Sequence, residues 1–244
     1  MRLIGKWLHA GVLDGEQLTD PEQGTPQGGV CSPMLANIFL HEVLDEWYER
    51  DVRPRMRGRT FLTRFADDFV IGCEREDDAR RIMAALPRRF ARFGLTIHPT
   101  KTGLVSFRKP GFHAESDTGN GTCECLGFTH DWTKSRRGYW VIKRKTASKR
   151  LRRTMRALWQ WCRDQRHAPL QAQYRTLCQK LRGHYQYYGI RGNYPRLERL
   201  YEHAEHAWRY WLSRRSHKSA IPWEAFDRLH GRFPRPAPRI LHAL

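Results

Sequence analysis

Hydrophobic positions along the chain fall into two regimes: helix-period and strand-period runs alternate up to residue 142, and from Lys143 only helix-period runs remain. Leu3, Ile4, Trp7, Leu8 and Val12 share one helical face within the first fourteen residues, with Gly11 and Gly15 loosening the end. Ser32 as N-cap and Pro33 at the first helical position predict a helix to about Tyr48. Its apolar face would be Leu35, Ile38, Phe39, Leu44 and Trp47, with Val43 offset. Two strand-like runs, 60–66 and 69–72, are separated by Asp67-Asp68 and read as a hairpin. Glu76-Asp77-Asp78 stand where a helix dipole favours acids, ahead of Ala79, Ile82, Met83, Leu86 and Phe90 at core spacing, with Pro87 as a kink point. Residues 95–97 and 104–107 are predicted as strands around a turn at His98–Thr102. A Gly-, Ser- and Asn-rich loop over 109–122 and a final strand pair, 126–128 with 139–142, complete this portion.

Three amphipathic helices follow. Leu151, Met155, Leu158 and Cys162 mark the first; Leu170, Tyr174, Leu177, Leu181, Tyr185 and Tyr188 the second; Leu197, Leu200, Tyr201, Ala204, Trp208 and Trp211 the third. Three such faces make a small bundle, closed by an extended tail at Phe233-Pro234-Arg235-Pro236-Ala237-Pro238-Arg239. The fold class expected is α+β: an antiparallel hairpin sheet with packed helices, then an α-helical bundle.

Charge sharpens this division. The formal net charge is +19, yet residues 134–244 hold 27 Lys/Arg against 6 Asp/Glu, while residues 1–133 hold 17 against 19. A near-neutral body joined to an element carrying the whole positive excess points to a polyanion partner, most directly nucleic acid. A hydrophobic fraction of 40% with nine Trp, nine Tyr and eleven Phe argues against disorder. No apolar run is long enough for a membrane span, and the N-terminus lacks an export pattern, so the cytoplasm is the expected location. Six cysteines show no secreted framework. Cys123-Glu124-Cys125 with His113 and His130 lacks the second cysteine pair that structural zinc usually takes.

Phosphodiester synthesis uses two divalent cations about 4 Å apart, bridged by carboxylates. Phe65-Ala66-Asp67-Asp68 between apolar strands can present adjacent acids on a tight hairpin, although Asp is also an ordinary turn residue.

Four runs carry a resemblance. Gly24-Thr25-Pro26-Gln27-Gly28-Gly29-Val30-Cys31-Ser32-Pro33-Met34-Leu35-Ala36-Asn37 comes first, then Phe65-Ala66-Asp67-Asp68. Gly94-Leu95-Thr96-Ile97 with Lys101-Thr102, and Cys125-Leu126-Gly127-Phe128, come after. In order, spacing and residue type they resemble successive motifs of bacterial group II intron reverse transcriptases. Leu181-Arg182-Gly183-His184-Tyr185-Gln186-Tyr187-Tyr188-Gly189 and the closing Phe233–Ile240 run are similar to the family's maturase-specific thumb, so the likeness covers essentially the whole chain.

The resemblance implies a partial palm over 1–142 and a thumb over 143–244. Asp67 and Asp68 would bind Mg²⁺, with Asp67 the direct ligand. Gln27, held by Pro26 and Gly28, would lie along the incoming nucleotide with Phe65 and Ala66, and Lys101 would serve as charge stabiliser or general acid beside the triphosphate. A solvated turn lysine is the alternative for Lys101. Partners implied are intron RNA, template-primer and dNTPs. Lys143, Arg144, Lys145, Lys149, Arg150, Arg152, Arg153 and Arg156 lie on or before the first thumb helix, opposite its apolar stripe, and would track an RNA backbone. Tyr185 and Tyr188 read as core more readily than as base-stacking groups.

There are departures. Phe65 replaces the family's usual Tyr, and Cys125 stands where an aromatic is more usual. The family's earlier catalytic aspartate, followed five residues on by Phe or Tyr, has no match, because Asp14 and Asp20 are followed at that distance by Thr19 and Thr25. The expectation is therefore a chain without fingers or first catalytic motif, weak or inactive as a polymerase alone, its site to be completed by a separate N-terminal polypeptide or a homodimer partner. The alternative is a non-catalytic RNA-binding protein acting through the thumb. A retron or diversity-generating lineage is disfavoured by the maturase-like thumb, and no Cys/His-paired nuclease module is seen.

Overall fold

A computed structural model describes residues 31–111, 121–216 and 220–242, together with the backbone of strands β1 (Val12–Asp14) and β2 (Gln17–Thr19). The chain divides into two compact units, Met1–Leu104 and Val105–Leu244. Mixed helix and small antiparallel sheets make up the fold, as expected of an α+β chain.

In the first unit, β1 and β2 pair antiparallel with Leu13 opposite Leu18, which corrects the helix expected through residue 14. Glycine in a helix interior costs about 1 kcal/mol relative to alanine, and the two glycines in this part of the sequence weaken the helical alternative. The rest of that expected helix lies outside the described residues. Helix α1 (Ser32–Leu40) begins one residue earlier than read, with Cys31 at the N-cap position and Ser32 already helical. It continues through two π-helical segments, His41–Asp45 and Tyr48–Val52. Each wider turn rotates the apolar stripe. Val43, Leu44, Tyr48 and Val52 are therefore the buried side chains, whereas Ile38 and Phe39, read as core by simple 3.6 periodicity, are exposed.

Strands β3 (Thr60–Phe65) and β4 (Asp68–Cys73) form the expected hairpin, in register from Thr60 opposite Cys73 to Phe65 opposite Asp68. Its inner face, with Leu62, Phe69, Ile71 and Cys73, packs on a core of Leu44, Tyr48, Val52, Ile82, Leu86 and Phe90. Helix α2 (Glu76–Ala91) contributes the last three and runs unbroken through Pro87. Asp78 is wholly buried rather than a solvated dipole partner: its Oδ2 accepts from the backbone N–H groups of Arg57 and Gly58 at 3.0 and 2.8 Å, fastening the turn that leads into β3. The strands expected at 95–97 and 104–107 are not formed, since no described strand builds a ladder with them: 104–107 has a lone bond from the Gly121 N–H to the Ser106 carbonyl at 2.8 Å, and Leu95 and Ile97 pack on the core as irregular chain.

In the second unit, β5 (Cys123–Cys125), β6 (Phe128–Lys134) and β7 (Trp140–Thr146) form a three-stranded antiparallel sheet. Leu126 and Gly127, expected in a strand, are the two turn residues between β5 and β6, with φ of 52° and 77°. Two successive positive φ values are the geometry of a two-residue hairpin. Helices α3 (Ser148–Asp164), α4 (Leu170–Tyr188) and α5 (Tyr194–Leu212) match the three periodic runs, and a short α6 (Trp223–Arg232) is added. Their core centres on Leu151, Leu158, Leu177, Leu181, Leu197, Leu200 and Trp208.

Buried polar groups lock this unit. Asn193 accepts from the Thr146 N–H at 2.9 Å and donates to Thr146 Oγ1 and the Tyr188 carbonyl at 2.8 Å each, joining β7 to α4 and α5. The tail is extended yet anchored. Phe233 and Arg235 are buried, with Arg235 donating to Glu205 at 2.6 Å and its guanidinium over Phe226 and Trp208. Gly189 lies so close to the tail backbone that a Cβ there would meet the Arg239 carbonyl at 2.8 Å, and its own carbonyl accepts from Leu241 and His242 N–H at 2.6 and 2.9 Å.

Candidate active site and nucleic-acid interface

The β3–β4 turn presents Asp67 and Asp68. Alternation along the hairpin places Phe61, Thr63 and Phe65 on the outer face, where Phe61 is 61% and Phe65 68% exposed. Asp68 pairs opposite Phe65 and shares that face, with Asp67 in the turn itself. Farther along the hairpin, Gly72 stands opposite Phe61, whose exposed ring lies across it in the space a Cβ would fill. Neither aspartate has an ion-pair partner among the described residues, so two adjacent carboxylates stand exposed and uncompensated. That is a donor pair suited to a hard divalent cation, which takes oxygen ligands. No cluster of three or more His, Cys, Asp or Glu side chains that could hold a metal ion occurs among the described residues, and two carboxylates are fewer oxygen donors than such a cation takes.

Ala66 holds the turn in the left-handed region at φ 53°, a conformation costing a non-glycine residue about 1 kcal/mol. Arg64 compensates it. Its Nη1 donates to the Ala66 carbonyl at 2.9 Å and to Asn37 Oδ1 at 2.9 Å, while Nε and Nη2 fork across the Asp45 carboxylate at 2.8 and 2.7 Å. The Arg64 side chain is 13% exposed and that of Asp45 25%. Hydrogen bonding to Arg64 holds the Asp45 carboxyl below the usual range against the opposing effect of burial, and Asp45 raises Arg64 in return. Asn37 closes the first resemblance run, so Arg64 ties that run to the Ala-Asp-Asp turn. Arg64 and Asp45 were missed in the sequence, although a signal existed: alternation puts Arg64 on the inner face beside Leu62, and a charge there requires a partner.

The other expected site residues are distributed as follows. Phe65, Ala66, Asp67 and Asp68 are brought together by the hairpin. Lys101 is exposed in a separate turn, its N–H bonded to the His98 carbonyl at 3.2 Å. Pro26, Gln27 and Gly28 lie outside the described residues. Cys123 and Cys125 end the same short strand, with burial pushing the Cys123 thiol up, and no zinc cluster is present among the described residues.

On the second unit, Lys149, Arg150, Arg152, Arg153 and Arg156 are exposed on α3, on the side away from Leu151, Leu158 and Cys162. Lys143 is exposed on β7, Arg144 is half-buried, and Lys145 is engaged with Asp131 at 2.8 Å. Tyr185 is buried, with burial raising its phenol; Tyr188 is half-buried against Phe128 at 5.1 Å. Tyr187 remains 52% exposed, donating to the Leu126 carbonyl at 2.9 Å. A half-exposed aromatic cluster on α3 and α5 went unnoticed in the sequence: Trp159 meets Tyr210 at 4.8 Å, Trp211 at 5.7 Å and His206 at 6.1 Å, with the Arg214 guanidinium 3.5 Å over Tyr210. Its members lie on two helices, so only tertiary packing assembles it.

A family profile described as reverse transcriptase (RNA-dependent DNA polymerase) matches residues 2–130, and the chain belongs to that family. Members generally use divalent metal ions. Within it, the kinship is to group II intron-encoded reverse transcriptases and maturases. The group II intron-encoded protein LtrA of Lactococcus lactis subsp. cremoris is 55% identical over 42 residues, 17% of this chain and 7% of its own length. The uncharacterized 91 kDa protein in cob intron of Schizosaccharomyces pombe is 25% identical, over 43% of this chain and 20% of its own. Protein YkfC of Escherichia coli K12 is 31% identical over 96 residues, 29% of this chain and 25% of its own. The chain thus spans a quarter or less of the length of these relatives. No described helix is long and apolar enough to cross a membrane.

Proposed function

We propose that this chain contributes the metal-binding hairpin and the RNA-holding helices of an RNA-directed DNA polymerase and group II intron maturase. The observation that carries this reading is the pair of unpartnered carboxylates, Asp67 and Asp68, on a strained turn clamped by Arg64. Mg²⁺ held there would neutralise triphosphate charge and favour deprotonation of the attacking hydroxyl. Phe65, exposed on the same face, would pack against the incoming nucleotide, with Gln27 between Pro26 and Gly28 along its other side. Lys101, an exposed cation with no ion-pair partner among the described residues, would stabilise the leaving diphosphate. We assign palm function to residues 1–142 and thumb function to 143–244. The basic face of α3 would track the phosphates of intron RNA, with Lys149, Arg150, Arg152, Arg153 and Arg156 making the contacts.

The experiment is primer extension on an RNA template with Mg²⁺ and dNTPs, comparing the chain with Asp67→Ala, each alone and with an added fingers-bearing polypeptide. Extension that disappears in Asp67→Ala supports the polymerase. The exposed basic face and the Trp159–Tyr210 cluster, independent of the aspartates, favour a second reading, an RNA-binding splicing cofactor without polymerase chemistry. No extension in any mixture, with tight salt-sensitive RNA binding, would select it.

A further inference from the structure

The near-neutral first unit conceals a sharp segregation of charge. Residues 31–104 contain twelve arginines, and eight of them have a carboxylate partner at 2.6–3.7 Å. The remaining four, Arg55, Arg88, Arg89 and Arg92, all line one groove of about 690 Å³ between the π-helical end of α1 and helix α2, joined there by Arg81, and Asp51 is the single acidic lining residue. Arg81 comes no nearer than 3.7 Å to the buried Asp78, and Arg55, Arg88 and Arg92 have no acidic partner among the described residues.

The groove is also built rather than merely charged. Arg89 is fixed by donating to the carbonyls of Val43 and Glu42 at 2.9 and 3.1 Å, with its guanidinium 4.6 Å over Phe93 and 5.8 Å over Trp47. Arg81 is steadied by the Arg55 carbonyl at 3.2 Å. Ala84 and Ala85 keep the floor low between Arg81 and Arg88. Along α2, Arg81, Arg88 and Arg92 form a row about 16 Å long at 1.5 Å per residue. One inorganic phosphate cannot bridge such a row, whereas successive phosphates of a strand can, each met by a planar guanidinium fork.

We propose that this groove docks the phosphate backbone of a single-stranded RNA segment. None of its lining residues comes from β3 or β4, so it is separate from the Asp67–Asp68 turn, and the inference stands on its charge and shape without the polymerase reading.

The test uses the whole chain, a short single-stranded RNA of mixed sequence, and KCl from about 50 to 200 mM, where phosphate contacts dominate the salt dependence. Arg88→Gln with Arg92→Gln is compared with Arg50→Gln with Arg53→Gln, which removes the same charge from ion-paired positions. At about 0.7 per phosphate contact, loss of two contacts lowers the slope of log K against log salt by about 1.4 in the groove variant and leaves the control near the parent. In parallel, arginine-directed modification of the unaltered chain, read by mass spectrometry, should show Arg88 and Arg92 protected by RNA, which needs no variant to fold. Equal slopes in both variants, protection confined to the second unit, or protection by tripolyphosphate as strong as by RNA would each overturn the proposal, the last by making this a small-anion site.

Discussion

Replacing Arg64 with Ala tests whether the Ala-Asp-Asp turn is held from within. The substitution removes the fork to Asp45 and the bonds to Asn37 and Ala66, and leaves Asp45 with only the exposed His41 at 3.4 Å. Breaking a fully buried pair from one side costs about 3–5 kcal/mol, and the quarter-exposed Asp45 carboxylate recovers part of that from water, so about 2–3 kcal/mol is expected. The loss is local, and hydrogen exchange reads it locally. Amides of residues 60–73 should exchange roughly 30- to 150-fold faster, at a factor of ten per 1.4 kcal/mol, while peptides from residues 151–212 stay unchanged. Arg64→Lys keeps the charge but cannot span three acceptors, and should recover about half of the loss. Exchange in the hairpin within threefold of the parent for Arg64→Ala would refute the clamp. Because Asp45 is held below its ordinary value of 3.8, its share of the clamp is complete above that pH and disappears as acid titrates the folded carboxylate below it.

Other expectations follow from the second unit. Asn193→Ala deletes three buried hydrogen bonds and should lower stability by about 3 kcal/mol, a fall of about 10 °C in the melting temperature of that unit; a change under 2 °C would deny Asn193 its locking role. Burial lowers His184 from 6.5 to about 4, so it stays neutral when folded while the unfolded chain takes up a proton. Its contribution is complete above pH 6.5 and is lost as pH falls through that window toward 4, by about 3 kcal/mol in all. His184→Phe should flatten this fall, and urea titrations across the window would show an unaltered slope if the imidazole were not responsible. Arg152→Ala with Arg153→Ala should weaken RNA binding and make the salt slope shallower by up to about 1.8 on duplex regions; unchanged affinity and slope would remove α3 from the RNA interface.

Much of the architecture is legible in the order of residues, because it rests on short-range rules. Hydrophobic period alone marks α2, α3, α4 and α5, and alternating runs around Asp67-Asp68 mark the β3–β4 hairpin. The adjacent carboxylates and the basic stripe of α3 are likewise sequence-local. Sequence reading fails where a neighbour in space, or a departure from ideal period, decides the outcome. The wide π turns after Leu40 rotate the stripe, burying Tyr48 and Val52 and leaving Ile38 and Phe39 outside. Val12–Asp14 becomes a strand through pairing, residues 95–97 fail to become one for want of it, and Leu126 goes to a turn because β5 and β6 close tightly around it.

Tertiary structure alone decides which charges are spent and which are free. Arg64 and Arg88 are indistinguishable as letters, yet the first is consumed by Asp45, Asn37 and Ala66, nineteen to twenty-seven residues away or just across a turn, and the second has no ion-pair partner among the described residues. An ion pair depends on separation in ångströms, not along the chain. The residue types and their periods were thus enough to set most of the elements and to mark the Ala-Asp-Asp turn, whereas the clamp beneath the turn, the aromatic cluster of Trp159 and the arginine groove exist only because folding brings distant side chains within a few ångströms of each other.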